Sequence, residues 1–372
     1  MRGKRRNSPE LPDASAGTPE ERRERARQDF TFFRRAYFPH YCLVGGDSRL
    51  HEWLDAELPR MADAPEGVRL AIAAPRGEAK STFVSLFFVL WAVLIGRKHY
   101  ILIIADALEQ AVSLLGAVKD ELEFNEALKR DFPGAGKGHV WNVGTVVTPG
   151  NVKIQALGAG KRMRGLRHGP HRPDLIVLDD LENDGNVDKP EQRDKLQSWL
   201  QKTVLNLGAA DGSMDVVYVG TLLHYDSVLA RTLRKPLWKA RTFRSILRWP
   251  DRMDLWDEWE SLLSSRGEAE ARRFYRQHRA KMEAGAEVSW PASRPLYRLM
   301  CLRVEDREAF DSEQQNDPLS ANEAPFNGCI TFWVDRSRDW LLFGAVDPSL
   351  GKQGAGLSLI HISEPTRHAQ IS

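Results

Sequence analysis

The stretch that decides the fold is AAPRGEAKSTF, residues 73–83, which lies between an apolar run ending at Ala74 and a longer apolar run beginning at Phe83. A lysine followed by Ser-Thr, after a glycine-containing turn and before a helical pattern, is typical of a phosphate-binding loop. The usual pattern is G-x-x-x-x-G-K-[ST], and here alanine occupies both glycine positions, at Ala74 and Ala79, which leaves only Gly77. Taken alone, the stretch fits either a nucleotide site or a plain turn between a strand and a helix.

The composition describes a globular chain with no strong overall charge. Its 372 residues allow two or three domains, and its net charge of +2 means that contact with nucleic acid has to come from local basic patches, at the N-terminus and at residues 160–172. The three cysteines are far apart and form no C-x-x-C pair, which argues against a disulfide scaffold or a zinc site. The first thirty residues contain no signal-peptide core, and the apolar run at 83–95 is shorter than the roughly 20 residues of a membrane span. We therefore expect a cytosolic protein.

Short apolar strands alternate with helical patterns from Val68 onward. The predicted strands are 69–74, 100–105, 174–180 and 214–220, and the predicted helices are 80–95, 106–130, 189–206 and 226–234. Residues 139–158 alternate around a Pro-Gly turn, which indicates a β-hairpin. Fully apolar strands in this alternation predict an α/β fold with a mostly parallel sheet covered by helices on both faces.

The pattern also predicts an order of segments along the chain. We expect a disordered charged tail at 1–28, an N-terminal helical segment at 29–67, the α/β domain at 68–248, a helical linker subdomain at 249–328 and the first strands of a further domain at 329–356. The final stretch LSLIHISEPTRHAQIS, 357–372, resembles the translation of a transposon-type sequencing adapter. We expect it to be a library artefact and the natural chain to continue past Gly356, with a natural tail as the alternative.

Acidic and hydroxyl side chains follow two other predicted strands. DLIVLDDLEND places Asp179 and Asp180 at a strand end, where one carboxylate can hold Mg²⁺ and its neighbour can orient an attacking water. VVYVGTLLHYDS ends its strand at Gly220 and Thr221. A helix cap, a loop salt bridge or a plain turn are the alternatives for each feature alone. Because open α/β sheets bind ligands at the carboxyl ends of their strands, we expect these residues and Lys80 to form one phosphate-transfer site.

The order of motifs resembles the large terminase subunit of tailed bacteriophages, over roughly residues 29–356. It runs APRGEAKST, KRMRGLRHGPHRPDLIVLDDLEND, YVGTLLHYDSVLAR, FDSEQQNDP and FGAVDPS. The resemblance implies a P-loop NTPase of the additional-strand class, a helical linker and an RNase H-like nuclease domain. It implies ATP and Mg²⁺ as cofactors, and double-stranded DNA, the small terminase subunit and the portal protein of the procapsid as partners. It also implies a homo-oligomeric ring acting in the host bacterial cytoplasm.

The same resemblance assigns roles to individual residues. Nucleotide binding falls to the Walker A residues and the coupling motif, which are Gly77, Glu78, Ala79, Lys80, Ser81, Thr82, Gly220 and Thr221. The catalytic candidates are Asp180 or Glu182 as the carboxylate, with Arg76 as the arginine of the loop. The metal ligands are Ser81 and the Walker B residue Asp179, and Asp347 for the nuclease domain. Candidate DNA contacts, with a solvated basic loop or a subunit contact as the alternative, are Lys161, Arg162, Arg164, Arg167 and Arg172.

Two departures from the family pattern affect what we expect of the activity. If the backbone at Ala79 needs a positive φ, alanine costs on the order of 1 kcal/mol, but we expect this position to need only a small residue. Asp347 alone cannot hold the two metal ions of a nuclease, so we expect ATP binding without a competent nuclease. A helicase-like DNA translocase and a non-catalytic prophage remnant remain the alternatives, and the first would need a second motor domain that is not visible after residue 250.

Overall fold

The structure is a computed structural model that describes residues 16–318 and the backbone of two short strands at 345–347 and 358–360. The helices are α1 (Pro19–Gln28), α2 (Phe30–Tyr37), α3 (Arg49–Ala62), α4 (Val89–Leu94), α5 (Leu108–Phe124), α6 (Glu126–Asp131), α7 (Asp184–Val187), α8 (Pro190–Lys202), α9 (Val228–Leu233), α10 (Met253–Arg266), α11 (Glu268–Met282), α12 (Leu296–Glu305) and α13 (Arg307–Glu313). The strands are β1 (Arg69–Ala73), β2 (Tyr100–Ala105), β3 (Val140–Trp141), β4 (Thr145–Val147), β5 (Lys153–Gly158), β6 (Leu175–Asp179), β7 (Asp215–Gly220), β8 (Lys239–Thr242), β9 (Ile246–Arg248), β10 (Glu287–Val288), β11 (Ala345–Asp347) and β12 (Ser358–Ile360).

The centre of the fold is an eight-stranded sheet in the order β3-β4-β5-β2-β6-β7-β1-β8. The strands from β5 to β8 pair in parallel, and the predicted hairpin adds antiparallel β3 and β4 at one edge. Strand β7 lies between β1, which leads into the predicted phosphate loop (residues 74–82), and β6, which ends at the acidic pair Asp179 and Asp180. This inserted strand is the feature that the additional-strand class requires, so the predicted α/β fold is confirmed.

Both faces of the sheet are buried, as the fully apolar strands predict. Alternate residues along each strand point to opposite faces, so Leu70 and Ile72 of β1 join one apolar cluster while Ala71 and Ala73 join the other. The first cluster packs against α2–α5, and the second packs against α8 and α9. The sheet is therefore a rigid platform whose strand ends hold their side chains in fixed positions.

The segment after the phosphate loop is one continuous buried helix. It begins at Lys80, passes through a π-helical stretch at Thr82–Phe88 and ends with α4. Its aromatic residues Phe88 and Trp91 are fully buried in the first apolar cluster. Within residues 16–318, none of the helices has both the length and the apolar character needed to span a membrane.

The predicted disordered tail is wrong for part of its length. Residues 19–28 form α1, and the buried Arg22 donates from Nε to Asp131 Oδ2 over 2.7 Å. The many charged residues in 1–28 predicted a solvated segment. One of them, Arg22, instead pairs with Asp131, which is distant in sequence, and no local pattern reveals this pair. Residues 1–15 lie outside the described residues.

The mostly helical character predicted for 249–328 holds over the described part of that segment, which ends at residue 318. Helices α10–α13 and the β9–β10 pair enclose a separate apolar cluster around Trp256, Trp259 and Tyr275. We call residues 246–318 the helical subdomain. It belongs to the same compact unit as the sheet. Most of the predicted nuclease start, 329–356, and most of 357–372 lie outside the described residues, although the backbones of β11 and β12 pair antiparallel.

Several elements differ from the sequence prediction, among them one helix and one strand of the central domain. The helix expected at 106–130 is divided at Asn125, whose side chain accepts from the backbone N–H groups of Ala127 and Leu128 and so starts α6. Strand β8 was not predicted, because all of its residues are exposed and it shows no alternation of apolar and polar side chains.

Candidate active site

Three strand ends meet at one edge of the sheet and bring three predicted site residues together. Because β1, β6 and β7 are parallel neighbours, the residues that follow them lie side by side. Lys80 donates from Nζ to Thr221 Oγ1 over 3.1 Å, and the same Nζ lies 3.2 Å from Asp180 Oδ2. The lysine side chain is only 8% exposed, so its charge acts in a partly dehydrated place. A buried ammonium group beside a hydroxyl and a carboxylate is suited to holding an anionic ligand.

The loop that carries Lys80 has an unusual backbone. Gly77 has a φ of 78° and Ala79 a φ of 56°, both in the left-handed region. The expectation that Ala79 needs only to be small is therefore wrong, because alanine in this region costs on the order of 1–2 kcal/mol. Such strain persists only where neighbouring contacts determine the backbone, and it clusters at functional sites.

Asp179 is completely buried and accepts hydrogen bonds from two hydroxyl groups. Ser81 Oγ donates to Asp179 Oδ1 over 2.9 Å, and Ser85 Oγ donates to Oδ2. Burial and the neighbouring charge of Asp180 raise the pKa of Asp179 to about 6, against the opposing effects of Ser85, Lys80 and Ser81. Sequence analysis missed Ser85, although it lies one helical turn after Ser81.

The paired hydroxyl and carboxylate of Ser81 and Asp179 are hard oxygen donors of the kind that Mg²⁺ prefers. Within residues 16–318, no cluster of three or more His, Cys, Asp or Glu side chains could hold a metal ion by itself. Mg²⁺ usually takes one or two protein oxygens and completes its shell with phosphates and water. The donor set therefore fits the implied ion.

The two candidate catalytic carboxylates line one cavity with Lys80 but differ in their hydrogen bonds. Asp180 has a φ of 45°, and its Oδ2 lies 3.2 Å from Lys80 Nζ. Glu182 instead accepts from the backbone N–H groups of Val228 (2.6 Å) and Leu229 (3.0 Å), and from the Tyr218 hydroxyl (3.2 Å). Burial raises the pKa of Glu182, although these hydrogen bonds oppose the shift. Glu182 thus fixes the start of α9, and Asp180 is the carboxylate that faces the cavity without such bonds.

Asp106 follows β2 directly and forms hydrogen bonds with the loop after β6, residues 180–186. Its backbone N–H donates to Asp180 O over 3.2 Å, and its carboxylate accepts from the side-chain amides of Asn183 and Asn186, the latter at 3.0 Å. Asp106 also lines the cavity with Gln110. The rule that ligands bind at the carboxyl ends of strands applies to β2 as well, so this residue could have been found from the sequence.

Arg76 lies at the cavity and is tied to the helical subdomain. Its backbone N–H donates to Glu313 O over 2.9 Å, and its guanidinium forms an ion pair with the Glu313 carboxylate. The Arg76 side chain is 67% exposed. Glu313 belongs to FDSEQQNDP, a motif in the resemblance, but no local pattern placed it beside the phosphate loop.

The remaining loop residues have different surroundings. Thr221 Oγ1 donates to Ala74 O over 3.2 Å. A Cβ on Gly220 would lie 3.3 Å from Asp180 Oδ1, so glycine at this position allows the ends of β6 and β7 to lie close together. Glu78 is only 1% exposed, does not line the cavity, and has a carboxylate oxygen without a hydrogen bond. Burial raises the pKa of Glu78. Thr82 begins the π-helical stretch, and no hydrogen bond of its side chain is seen.

The predicted basic patch is spread out rather than clustered. Lys161 follows the carboxyl end of β5, whereas Arg172 precedes the amino end of β6. Both strands run parallel to β2, so these two residues lie near opposite ends of the strands. Between them, Arg162, Arg164 and Arg167 are exposed. None of these five side chains forms an ion pair with another described residue. The basic loop, residues 160–172, therefore runs from one end of the parallel strands to the other, and its basic side chains do not form one compact cluster.

Asp347 lies in β11, where its backbone pairs with Ser358, but its side chain lies outside the described residues. The structure therefore does not place it relative to any other predicted site residue.

Among solved structures, the chain is similar to phage large terminases. The crystal structure of the HK97 bacteriophage large terminase shares 17% identity at a TM-score of 0.41, covering 72% of this chain and 55% of that one. The large terminase ATPase domain of Thermus phage P74-26 shares 15% identity at a TM-score of 0.36, covering 70% of this chain and 92% of that domain. The chain thus spans about half the length of the HK97 protein.

No protein-family model and no curated protein matches the chain. At these identities and TM-scores, the likeness to solved structures does not decide the fold by itself. The fold rests on the strand order, the inserted β7 and the conformation of the phosphate loop, all of which belong to this chain.

Proposed function

We propose that this chain is an ATP-hydrolysing motor subunit of the large terminase type, which moves double-stranded phage DNA into a procapsid. The observation that carries the proposal is the meeting of Lys80, Asp180 and Thr221 at adjacent parallel strand ends, next to the hydrogen-bonded pair of Ser81 and Asp179. The order of sequence motifs supports the terminase type, and so do the names of the similar structures.

Each side chain has a role that its position allows. Lys80 neutralises the β- and γ-phosphates of ATP, and Asp180 orients the attacking water and accepts its proton. Ser81 and Asp179 are the residues that would hold Mg²⁺, and the ion would supply positive charge beside the phosphate oxygens. Thr221, already hydrogen bonded to Lys80, responds to the γ-phosphate.

Arg76 adds a second positive charge at the cavity. Glu182 lines the same cavity, and its oxygens accept from the first backbone N–H groups of α9, so its proposed role is to hold the start of that helix. The backbone N–H groups of the loop from Gly77 to Thr82 cradle phosphate oxygens, with the helix that begins at Lys80 behind them.

We propose that the motor translocates double-stranded DNA and that the basic loop contacts this DNA. The exposed arginines and Lys161 contact phosphates without reading sequence. The further partners implied by the terminase type are the small terminase subunit, the portal protein and other copies of this chain in a ring, in the host bacterial cytoplasm. Nuclease activity is not part of this proposal.

The helicase-like alternative has no structural support in residues 16–318. A helicase would place a second parallel α/β motor domain after the first, whereas the described residues from 246 to 318 form helices and one two-stranded pair. The non-catalytic alternative depends on how far Ala79 weakens the loop, which activity can decide.

The test is DNA-stimulated ATP hydrolysis by the full chain, its Lys80→Ala variant and a control, Lys129→Ala. Lys129 pairs with Glu126 on the surface of α6 and does not line the cavity, so its loss removes one positive charge from outside the candidate site. We expect stimulation by double-stranded DNA in the wild type and in the control, and background rates in Lys80→Ala. Equal rates in all three proteins would refute the proposal.

A further inference from the structure

Arg294 lies directly on the turn of the phosphate loop, although it belongs to the helical subdomain. A Cβ built on Gly77 would lie 1.8 Å from Arg294 Nη2 and 2.9 Å from Cζ. The guanidinium therefore occupies the side of Gly77 where any other residue would carry its side chain. Arg294 does not line the cavity that contains Lys80 and Asp180, so it covers the loop from another side.

The position of Arg294 is fixed by its own neighbours. Its Nη1 donates to Gln314 Oε1, and that amide also accepts from Ser245 Oγ over 3.1 Å. The backbone of Gln314 accepts from Ser245 N over 2.8 Å. Arg294 forms no ion pair with a described residue. Its guanidinium is thus oriented by one amide, and no described carboxylate lies within ion-pair distance of it.

The charge on Arg294 faces a buried acid of the same loop. Glu78 attracts Arg294 electrostatically, and it is buried with one carboxylate oxygen that lacks a hydrogen bond. The Glu78 carbonyl accepts from His51 Nε2 over 2.9 Å. Consecutive loop residues are therefore contacted from outside the sheet, Gly77 by Arg294 and Glu78 by His51. A loop with two left-handed residues needs such contacts to keep one conformation.

We propose that Arg294 is a positioning residue that holds the Gly77–Glu78 turn in its phosphate-binding conformation. It does not touch the nucleotide. It covers Gly77, attracts Glu78 and ties both to Gln314 of the helical subdomain, so that the loop N–H groups are aligned before phosphate arrives. Preorganisation of this kind appears as affinity, because the unaligned conformations of the loop do not bind. The inference rests on the proposed function, since it assumes that the loop binds phosphate.

The geometry also predicts a specific coupling between Arg294 and Gly77. Alanine at position 77 would be strained twice, by a φ of 78° and by contact with the guanidinium. Shortening Arg294 removes the second source of strain and leaves the first. The effect of Gly77→Ala on nucleotide affinity is therefore smaller in a protein that already lacks the Arg294 guanidinium.

The test measures equilibrium binding of Mg·ATP to the full chain and to its Arg294→Ala, Arg294→Lys, Gly77→Ala and Gly77→Ala/Arg294→Ala variants, with Tm recorded for each. Arg298→Ala is the matched control, an exposed arginine of the same subdomain. Loss of a charged contact predicts that Arg294→Ala weakens binding by about tenfold, with a Tm close to that of the wild type. We expect Arg298→Ala to bind like the wild type and Arg294→Lys to lie between, because lysine keeps the charge and loses the planar fork.

Equal affinities for Arg294→Ala and Arg298→Ala would overturn the inference, and so would additive effects of Gly77→Ala and Arg294→Ala. A lowered Tm with unchanged affinity would show a purely structural role and would also overturn it. If Arg294→Ala does not fold, Arg294→Lys decides the question by the same comparison with the control. Failure of the wild type to bind Mg·ATP is a different result, since it refutes the proposed function on which the inference rests.

Discussion

Replacing Ala79 with glycine should stabilise this protein, because the residue before the loop lysine has a φ of 56°. An L-residue in the left-handed region costs about 1–2 kcal/mol, and glycine removes that cost. Glycine also has more freedom in the unfolded chain, which offsets the gain by about 0.4–1 kcal/mol. The net expectation for Ala79→Gly is a free energy of unfolding higher by about 0.8 kcal/mol, within a range of roughly 0–1.6 kcal/mol.

The assay is unfolding in urea, monitored by tryptophan fluorescence. A shift of the transition midpoint reports a change in stability if the dependence of the unfolding free energy on urea concentration is unchanged. The matched control is Ala210→Gly, since Ala210 is exposed in a loop and its φ is not positive. There the same change should destabilise by about 0.4–1 kcal/mol, because only the unfolded chain is affected. Opposite shifts for the two substitutions support a left-handed backbone at Ala79. A loss of stability at both positions would refute it.

Three further outcomes follow from the contacts. Asp180→Asn should retain ATP binding and lose hydrolysis, measured by binding and single-turnover assays on one sample, and equal losses in both would contradict its role. Glu182→Gln should lower the free energy of unfolding by roughly 1–3 kcal/mol, measured in urea, because its carboxylate accepts from two backbone N–H groups. Asp131→Asn should cost roughly 3–5 kcal/mol, since its carboxylate is buried and shared by Arg22, Arg130 and Tyr37. Burial alone would raise the pKa of Asp131, but these hydrogen bonds hold the pKa well below its usual range. The contribution of Asp131 to the free energy of unfolding is therefore present above about pH 4 and is lost as the pH falls further. If Asp131→Asn lost stability in acid as steeply as the wild type, this explanation would be contradicted.

The parts of the site that the sequence predicts are those encoded by local pattern. Apolar runs locate the strands, and the residues that end them are then adjacent by the geometry of parallel sheets, which is why Lys80, Asp180 and Thr221 were expected to meet. The inserted strand between β1 and β6 follows from the resemblance and is confirmed by the strand order.

Other parts depend on contacts between distant segments or on backbone angles that residue type does not reveal. Alanine rarely has a positive φ, so its identity argued against the conformation found at Ala79. The sequence does not reveal that Glu182, a catalytic candidate, also accepts hydrogen bonds from the start of α9. Glu313 and Arg294 reach the phosphate loop from more than 200 residues along the chain, which no periodicity predicts.

Isothermal titration of Mg·ATP tests most directly the central claim, that AAPRGEAKSTF is a phosphate-binding loop. The wild type and Lys129→Ala should bind with the same affinity, and Lys80→Ala should lose at least about tenfold, because this variant lacks the buried ammonium group that we propose as the phosphate contact. Circular dichroism of each sample establishes that the variants are folded. Absence of binding by the folded wild type, or equal binding by Lys80→Ala, would contradict the account.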